Sequence, residues 1–572
     1  MTTSPLSLTS EQINSLPLLF GILEDMGVAK TLDAHIRPHG HWQGASVGTL
    51  VTIWLCHILQ ERDHRLVSVR EWVQERAQTF SSLLGSPLRA TDCTDDRLAN
   101  VLSMLASSQI QAQLDADLVG SWIQTYALPT ERVRLDSTSV TVYHDTHDPQ
   151  SLLQYGHSKD HRPDLLQFKA MLASLDPLGM PLCAQMVPGN QADDGLYVPA
   201  YEAAVSVLGR RDLLFVGDSK MAALCTRAHL SDQQSTYLCS CRGTHLREAE
   251  LHRWIEEALA HQEQWQTLQS LDPSTGELVE EAHIYTWVRE QSWFFEATYR
   301  DYDWDERVLL VRSRAYRASQ CRRQESHLQR LTEALQALAQ PPKQGRKRYS
   351  SQAELASVVA QMIAQADLTG LVECSFCQQA RQNGSPCFLV GRIWVNLGAW
   401  RARMAHLGWQ VYLSNATPAQ YSEAQLVQHY RHQPIQEAGF ARLKTRNLHI
   451  RPVYLRDERR LCGLLWLLCL ALRVLTLVEY RVRTALCAQS EVLVGLNPGA
   501  PRQATSRPTT ERLIGAFGNL TLTCLASGEV SWSHIPMLSL LQQKILQLLR
   551  LPADLYERLG SGAEKLTPHL RE

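Results

Sequence analysis

The chain changes abruptly from helix-like to strand-like sequence at residue 132, and this change constrains the fold more than any other feature. Residues 132–144 (RVRLDSTSVTVYH) are alternating and β-branched, which predicts a strand that carries Asp136. Two more predicted strands follow at 167–175 and 180–187, on either side of the turn sequence DPLG. Beyond them, short helices and strands alternate. Strands followed by such alternation indicate an α/β layer architecture with a mixed sheet.

The rest of the chain divides into regions around this sheet. Residues 1–130 are predicted to be helical, because apolar residues recur there at spacings of three and four. The first part of the α/β core spans residues 131–241, and its second part spans residues 405–490. Between them, residues 242–404 have the pattern of a β-rich insertion with a helical hairpin, and residues 491–572 have that of a helical tail.

The same patterns predict individual elements. Predicted helices lie at 18–26, 47–60, 67–78, 96–105, 196–208, 223–230, 318–339 and 352–366. Further predicted strands lie at 212–216, 237–240, 282–289, 293–301, 307–312 and 409–414. The pair 47–60 and 67–78 could form a helix-turn-helix that reads DNA or a plain helical hairpin, and both interpretations stay open.

Composition limits the class of protein only broadly. The 572 residues are 44% hydrophobic and 20% charged, with a formal net charge of −2, which is ordinary for a globular protein. This balance argues against a generic polycation, although local clusters can still contact phosphates. From Arg431 to Arg483, eleven Lys or Arg stand against four Asp or Glu, so positive charge is concentrated there.

The cysteines and apolar segments indicate in which cellular compartment the protein is expected. Fourteen cysteines in no regular framework predict a reduced, cytoplasmic setting. The first residues, MTTSPLSLTSEQ, lack the basic and apolar regions of a signal peptide, so none is expected. Residues 461–478 are long enough to cross a bilayer, yet they contain Arg473 and have Arg-rich flanks. We therefore expect a buried helix there and no membrane span.

A basic, aromatic motif, YRHQPIQEAGFARLK, occupies residues 430–444. On a helix that turns about 100° per residue, steps of three, four and seven return to nearly the same azimuth. Four side chains at such steps could share one face: Tyr430, Gln433, Glu437 and Lys444. Such a face suits a surface that holds a metal ion against a phosphate. Pro434 fits only the first turn of a helix, so the helix could begin there and leave Tyr430 on a preceding turn.

Two aspartates could complete a site with Glu437. Asp136 lies within a predicted strand and Asp218 directly follows another, so both could project from adjacent strands. Three carboxylates around one point ionise together only when a divalent cation occupies the site. Oxygen ligands suit Mg²⁺ or Mn²⁺, and two such ions about 3.5–4 Å apart can activate a water or a hydroxyl against a phosphodiester.

The chain resembles the DDE class of insertion-sequence transposases in three features: the order Asp136, Asp218, Glu437; the motif at 430–444; and the sequence YGHSKDHRPDLLQFKA at 155–170. It is most similar to the branch whose ribonuclease-H-like core is interrupted by a β-rich insertion before the catalytic glutamate. The spacings agree, since 82 residues separate the aspartates and 219 separate Asp218 from Glu437. The resemblance covers nearly the whole chain.

This resemblance implies that Asp136, Asp218 and Glu437 are the catalytic residues and the ligands of two Mg²⁺ or Mn²⁺ ions. With the basic run of the insertion, the predicted DNA-binding residues are Tyr430, Arg431, Gln433, Arg442, Lys444, Arg446, Lys343, Arg346, Lys347 and Arg348. The broader family signature has Arg three residues after the Tyr, where this chain has Gln433. Arg431 or Arg442 could replace the lost phosphate clamp.

The expected function is DNA transposition: metal-dependent hydrolysis at terminal inverted repeats, then attack of the freed 3′-hydroxyls on target DNA. The expected partners are double-stranded DNA and, on DNA, a second copy of the chain; no membrane and no small-molecule substrate are expected. The expected location is the cytoplasm, in association with the nucleoid. Two alternatives stay open: a catalytically idle DNA-binding protein or repressor, which Gln433 favours, and a nuclease of the same fold without strand transfer.

Four other clusters each admit two interpretations. Cys374 and Cys377, followed by Cys387, have half of a zinc-knuckle spacing or are ordinary cysteines. Four histidines could be loop residues or metal ligands: His144, His147, His157 and His161. The basic run is a DNA contact or a solvated linker. Three tryptophans could pack in the core of the insertion, or one of them could stack on an unpaired base: Trp287, Trp293 and Trp304.

Overall fold

The computed structural model describes residues 7–89, 91–144, 148–271, 278–295, 299–341, 347–379, 386–527 and 530–560. The chain divides into two units: the first comprises Met1–Tyr237 and Gln428–Glu572, and the second comprises Leu238–Val427. Every residue of the predicted carboxylate site therefore falls in the first unit.

The helices and strands are numbered in chain order. The helices are α1 (Leu16–Asp25), α2 (Val28–His35), α3 (Val47–Glu61), α4 (Leu66–Gln74), α5 (Ala77–Leu84), α6 (Asp95–Leu105), α7 (Ser108–Tyr126), α8 (Tyr197–Leu208), α9 (Leu224–Asp232), α10 (Glu248–Ala260), α11 (Arg314–Leu338), α12 (Gln352–Gln365), α13 (Leu397–Ala405), α14 (Glu423–Arg431), α15 (Pro434–Ala441), α16 (Glu458–Gln489), α17 (Thr510–Gly515) and α18 (Leu540–Leu548). The strands are β1 (Ser7–Gln12), β2 (Arg132–Thr141), β3 (Gln167–Asp176), β4 (Met180–Pro188), β5 (Leu214–Gly217), β6 (Thr236–Cys241), β7 (Gln266–Leu271), β8 (Leu278–Phe295), β9 (Arg300–Ser313), β10 (Val372–Gln379), β11 (Cys387–Val395), β12 (Trp409–Ser414), β13 (Leu493–Val494), β14 (Ala504–Thr505), β15 (Thr521–Ser527) and β16 (Val530–His534).

Four neighbouring strands of the first unit lie in the order β4-β3-β2-β5. The strands β2, β3 and β4 form an antiparallel meander, whereas β5 lies parallel beside β2. β3 is buried along its whole length, and α8 and α16 pack against β4. An antiparallel meander with a parallel fourth strand beside its first strand is the arrangement of a ribonuclease-H-like core. The predicted α/β class with a mixed sheet is confirmed.

The N-terminal region is mainly helical, as predicted, with two differences. The predicted helix at 67–78 is instead α4 and α5, because the backbone leaves helical geometry at Arg76 (φ −128°). The Arg76 guanidinium donates hydrogen bonds to the carbonyls of Gln12 and Trp72, which hold this break in place. The second difference is β1, which pairs with β15 of the tail region. Sequence alone did not reveal this pairing, since the two strands lie at opposite ends of the chain.

The helix α16 is long and apolar enough to cross a membrane, but 94% of its apolar window is buried inside the protein. Arg473, fully buried within it, pairs with Asp115 of α7 at 2.7 Å. The same guanidinium donates to the carbonyls of Pro181 and Leu182 on β4. The prediction of a buried helix is confirmed, and Arg473 ties three elements of the core together.

The second unit contains the antiparallel strands β7, β8 and β9, with β12 beside β9. Helices α11 and α12 form the predicted hairpin and share an aliphatic core with β10 and β11. The separate strands predicted at 282–289 and 293–301 are wrong, because β8 continues through the polar residues Glu290–Ser292, which stay paired with β9. Sequence patterns also missed α10, β10 and β11. Cys374 and Cys377 lie along β10, and Cys387 opens β11.

Candidate active site

Two carboxylates meet where two neighbouring parallel strands end their pairing. Leu135 of β2 is the register partner of Gly217 of β5. The next residues along the two strands are Asp136 and Asp218, so the parallel register brings both aspartates to the same place. Asp136 and Asp218 line the same pocket. The residues of the 430–444 motif that line it are Tyr430, Gln433 and Gln436.

Asp218 is held by two donors. The hydroxyl of Tyr197, the first residue of α8, donates to Asp218 Oδ1 at 2.6 Å, and the backbone N–H of Lys220 donates to the same oxygen at 2.8 Å. Burial of Tyr197 raises its pKa well above the ordinary value, and the charge of Asp218 adds to this shift. Tyr197 therefore stays protonated and remains a donor. No sequence pattern pointed to it, because it falls at the start of an ordinary predicted helix.

Asp136 lies between a cation and a second anion. The backbone N–H of Ser137 donates to Asp136 Oδ1 at 2.7 Å, and Lys159 Nζ lies 3.4 Å from the same oxygen. Removal from water raises the pKa of Asp136 from 3.8 to about 6; Lys159 opposes this rise and Asp218 adds to it. Lys159 belongs to the YGHSKDHRPD sequence, whose residues had no assigned role.

The arrangement of the two aspartates fits a divalent cation. In the described part of the chain, their hydrogen bonds fall on Oδ1, which leaves each Oδ2 for an ion. Paired carboxylate oxygens suit Mg²⁺ or Mn²⁺. The described residues hold no group of three or more His, Cys, Asp or Glu placed to bind a metal, so a third protein ligand is not in position.

Asp136 makes the stability of the metal-free protein depend on pH. Its pKa is higher in the folded protein than its ordinary value, so the folded state binds the proton more tightly, and stability falls as pH rises from about 4 to about 6. We expect Asp136→Asn to raise the free energy of unfolding by about 3 kcal/mol at pH 7.5, and to leave it unchanged below about pH 4. Urea denaturation in the presence of a chelator measures both values. Equal stabilities of the two proteins at pH 7.5 would contradict this account.

The motif at 430–444 is divided at Pro434. α14 ends at Arg431 and α15 begins at Pro434, so the expected start of a helix at Pro434 is confirmed and the alternative of one shared helical face is wrong. Gln436 is buried at 4% exposure, whereas Glu437 is exposed. Gln433 and Gln436 line the pocket, whereas Glu437 is not among its lining residues. The pair of aspartates thus forms without Glu437 in this structure.

A buried ion pair fixes α14 against β2. Arg134, two residues before Asp136, donates to Asp176 Oδ2 at 3.0 Å and to the carbonyl of His429. Its other terminal nitrogen lies 3.5 Å from the carbonyl of Tyr430. The carboxylate of Asp176 compensates the arginine charge, while the guanidinium satisfies carbonyls in the last turn of α14. Arg134 therefore sets the position of Tyr430 relative to Asp136.

Lys444, predicted to contact DNA, is buried instead. Its side chain donates to Asp160 Oδ1 at 2.7 Å and to Thr138 Oγ1 at 3.0 Å. Arg451 donates to Asp160 Oδ2 at 2.8 Å. Burial lowers the pKa of Lys444, and Asp160 opposes that shift. Because Thr138 belongs to β2, this network joins the end of the motif to the strand that carries Asp136.

A stability measurement separates this internal role from a surface contact. We expect Lys444→Met to lower the free energy of unfolding by about 2 kcal/mol, because Thr138 and Asp160 lose a buried donor. The matched control is Lys30→Met, which replaces an exposed lysine of the same unit and is expected to leave stability unchanged. Wild-type stability of Lys444→Met in urea denaturation would show that this network does not hold the motif in place.

The other predicted DNA contacts differ in accessibility. Arg442 is engaged by Glu479 and Glu511, so it anchors the motif to α16 and α17. Arg431 is half-buried. Exposed members of the set are Arg446, Lys347 and Arg348, of which Lys347 pairs with Glu354 at 3.0 Å. Lys343, Arg346 and His147 lie outside the described residues.

The remaining aromatic and histidine clusters are partly exposed. Trp287 packs edge-on against Trp254, with ring centroids 5.2 Å apart, and Trp293 stacks on Phe295 at 5.0 Å. Trp304 lies opposite Gln291 in the β8–β9 pair. All three predicted tryptophans are half-buried, whereas His157 and His161 are exposed and His144 is half-buried.

Comparisons with known proteins bear on the family of this chain. A family model described as Transposase DDE domain matches residues 128–474, a range that includes Asp136, Asp218 and Glu437. A second model, described as a domain of unknown function (DUF4277), matches residues 8–116. None of the curated proteins matches. Among solved structures, one described as the cryo-EM structure of a piggyBac transposase synaptic complex with hairpin DNA is 10% identical over 83% of this chain and 76% of that chain, with a TM-score of 0.29. The first family match spans more than half of the chain and confirms the resemblance seen in the sequence: the chain belongs to the transposase DDE domain family.

Proposed function

We propose that this transposase cleaves DNA at the terminal inverted repeats of its element and joins the freed 3′-hydroxyls to target DNA. One observation carries the proposal: Asp136 and Asp218 converge at the ends of paired strands, with the pKa of Asp136 raised to about 6 by burial and by its neighbour Asp218. Such a pair is costly to maintain unless a cation compensates it. Transposases with a DDE domain generally use divalent metal ions, and the oxygen ligands here favour Mg²⁺ or Mn²⁺.

Each residue of the site has a proposed role. Asp136 and Asp218 would hold the divalent ions, and Glu437 would supply a further ligand. Ions held there would supply a lower pKa for the attacking water or 3′-hydroxyl and positive charge against the phosphate. Tyr197 keeps Asp218 oriented. Arg134 keeps Tyr430 in place beside the phosphate.

The proposed partners are the DNA of the element ends and of the target. Phosphate contacts would come from cationic residues in or just after the motif at 430–444 and on the insertion: Arg431, Arg446, Lys343, Arg346, Lys347 and Arg348. Gln433, which lines the pocket, would orient the DNA backbone there. Two ends must be processed together, so we infer a homodimer on DNA. The proposed location is the cytoplasm, where such a protein would associate with the nucleoid.

A cleavage and joining assay tests the proposal. The purified full chain is incubated with Mg²⁺, DNA that carries the element's terminal repeats, and a target plasmid. Cleaved ends and joined products are both expected, and a chelator should remove both. Cleaved ends without joined products would favour the nuclease alternative. Binding without cleavage would favour the idle DNA-binding protein.

A further inference from the structure

Lys159 lies beside one carboxylate of the pair. Its ammonium lies 3.4 Å from Asp136 Oδ1 and donates to the carbonyl oxygen and the hydroxyl of Ser137 at 2.6 and 3.1 Å. Its side chain is still 33% exposed. The ammonium therefore lies directly beside a half-buried carboxylate and is itself in contact with solvent.

We propose that the Lys159 ammonium takes the metal's position beside Asp136 in the free protein and moves to the scissile phosphate when metal and DNA bind. This inference rests on the proposed function for the identity of the metal ligands. The ammonium supplies one positive charge beside Asp136, which partly compensates the two carboxylates. A divalent ion at the same carboxylate would lie about 2 Å from its oxygen and would repel the ammonium.

The chain around Lys159 is built so that only this side chain has to move. The next residue, Asp160, is anchored by Lys444 at 2.7 Å and by Arg451 at 2.8 Å. The Lys159 backbone N–H also lies 3.4 Å from the hydroxyl of Ser139 on β2. The backbone is thus fixed beside the site, while a flexible four-carbon stem carries the charge. A phosphate bound at the aspartates would be the nearest new anion for the displaced ammonium.

A purely structural role for Lys159 predicts a different result. If its bonds to Ser137 mainly brace β2, then removing the ammonium should loosen the site and weaken metal binding. If it competes with the metal, then removing it should tighten metal binding while cleavage becomes slower. The two roles therefore predict opposite signs for the change in metal affinity.

The test compares Lys159→Met with Lys159→Arg, which keeps the charge, and with Asp136→Asn. Titration calorimetry with Mn²⁺ measures metal binding to the full chain without DNA, and thermal melting verifies that each variant is folded. We expect Lys159→Met to bind Mn²⁺ about tenfold more tightly than wild type, the order expected for one unit charge a few ångströms away. Lys159→Arg should bind within about twofold of wild type. At saturating Mn²⁺, Lys159→Met should cleave end-containing DNA about tenfold more slowly.

Each outcome bears on a separate claim. Mn²⁺ binding that is lost in Asp136→Asn and tighter in Lys159→Met supports the proposal. Unchanged or weaker binding in a folded Lys159→Met, with binding still lost in Asp136→Asn, overturns the role of Lys159 and leaves the proposed function intact. Wild-type Mn²⁺ binding in Asp136→Asn overturns the proposed metal site and this inference with it.

Discussion

Replacing either Asp136 or Asp218 by asparagine is expected to lower the rate of metal-dependent cleavage of end-containing DNA by about a thousandfold or more, since metal assistance supplies several kcal/mol. The amide that replaces each carboxylate keeps its shape but removes its charge. Tyr197 and the Lys220 N–H can still donate to the remaining oxygen at position 218, so the fold around the site should persist. The loss should therefore appear in catalysis and not in DNA binding.

The measurement is single-turnover cleavage at saturating Mg²⁺, with DNA binding followed separately by fluorescence anisotropy. The matched control is Asp212→Asn, the same substitution at an exposed aspartate of the first unit that pairs with Arg210. It should cleave at the wild-type rate. Cleavage by either active-site variant at a rate close to that of the control would remove that aspartate from the mechanism.

Replacing Asp115 by alanine is expected to destabilise the first unit by about 3–5 kcal/mol, because it leaves a buried charge without its partner. Arg473 is fully buried, and Asp115 is its carboxylate partner at 2.7 Å. The indole of Trp466 also donates to Asp115 at 2.9 Å and would lose its acceptor. The carbonyls of β4 that Arg473 still contacts are neutral and do not compensate the charge.

Urea denaturation measures this effect, together with a double variant. Asp115→Leu combined with Arg473→Met removes both charges, and we expect it to be clearly more stable than Asp115→Ala. Asp554→Ala is the control, because Asp554 forms an exposed pair with Arg558, and it should cause no measurable change. A small loss in Asp115→Ala, equal to that of the control, would mean that the ion pair does not hold α7, α16 and β4 together.

Much of the fold follows from local pattern. The strand predicted at 409–414 matches β12, and the helix predicted at 352–366 matches α12 except for one residue. Periodicity sufficed in these elements because each has one clear apolar face or a continuous apolar run. It failed for β8, whose polar middle is held by cross-strand pairing rather than by its own propensity. The pairing of β1 with β15 depends on residues far apart in sequence and had no local signal.

The candidate site was predicted in part. Asp136 and Asp218 could be predicted because each lies in or just after a predicted strand and because their order along the chain matches the family. The parallel register of β2 and β5 brings them together. Roles that depend on the direction of a side chain could not be read from sequence. Lys444 has the spacing of a surface cation, yet it is buried against Asp160. Tyr197 resembles any aromatic residue of a helix, and only its contact with Asp218 reveals its role.

Anomalous scattering from crystals grown with Mn²⁺ tests the central claim most directly. We predict a peak between Asp136 and Asp218 with Mn²⁺ about 2 Å from an oxygen of each carboxylate, and the Lys159 ammonium turned away from Asp136. With DNA bound, we predict that Glu437 joins the site as a further ligand. A saturated crystal with Mn²⁺ bound elsewhere, and with Lys159 still paired to Asp136, would contradict the account.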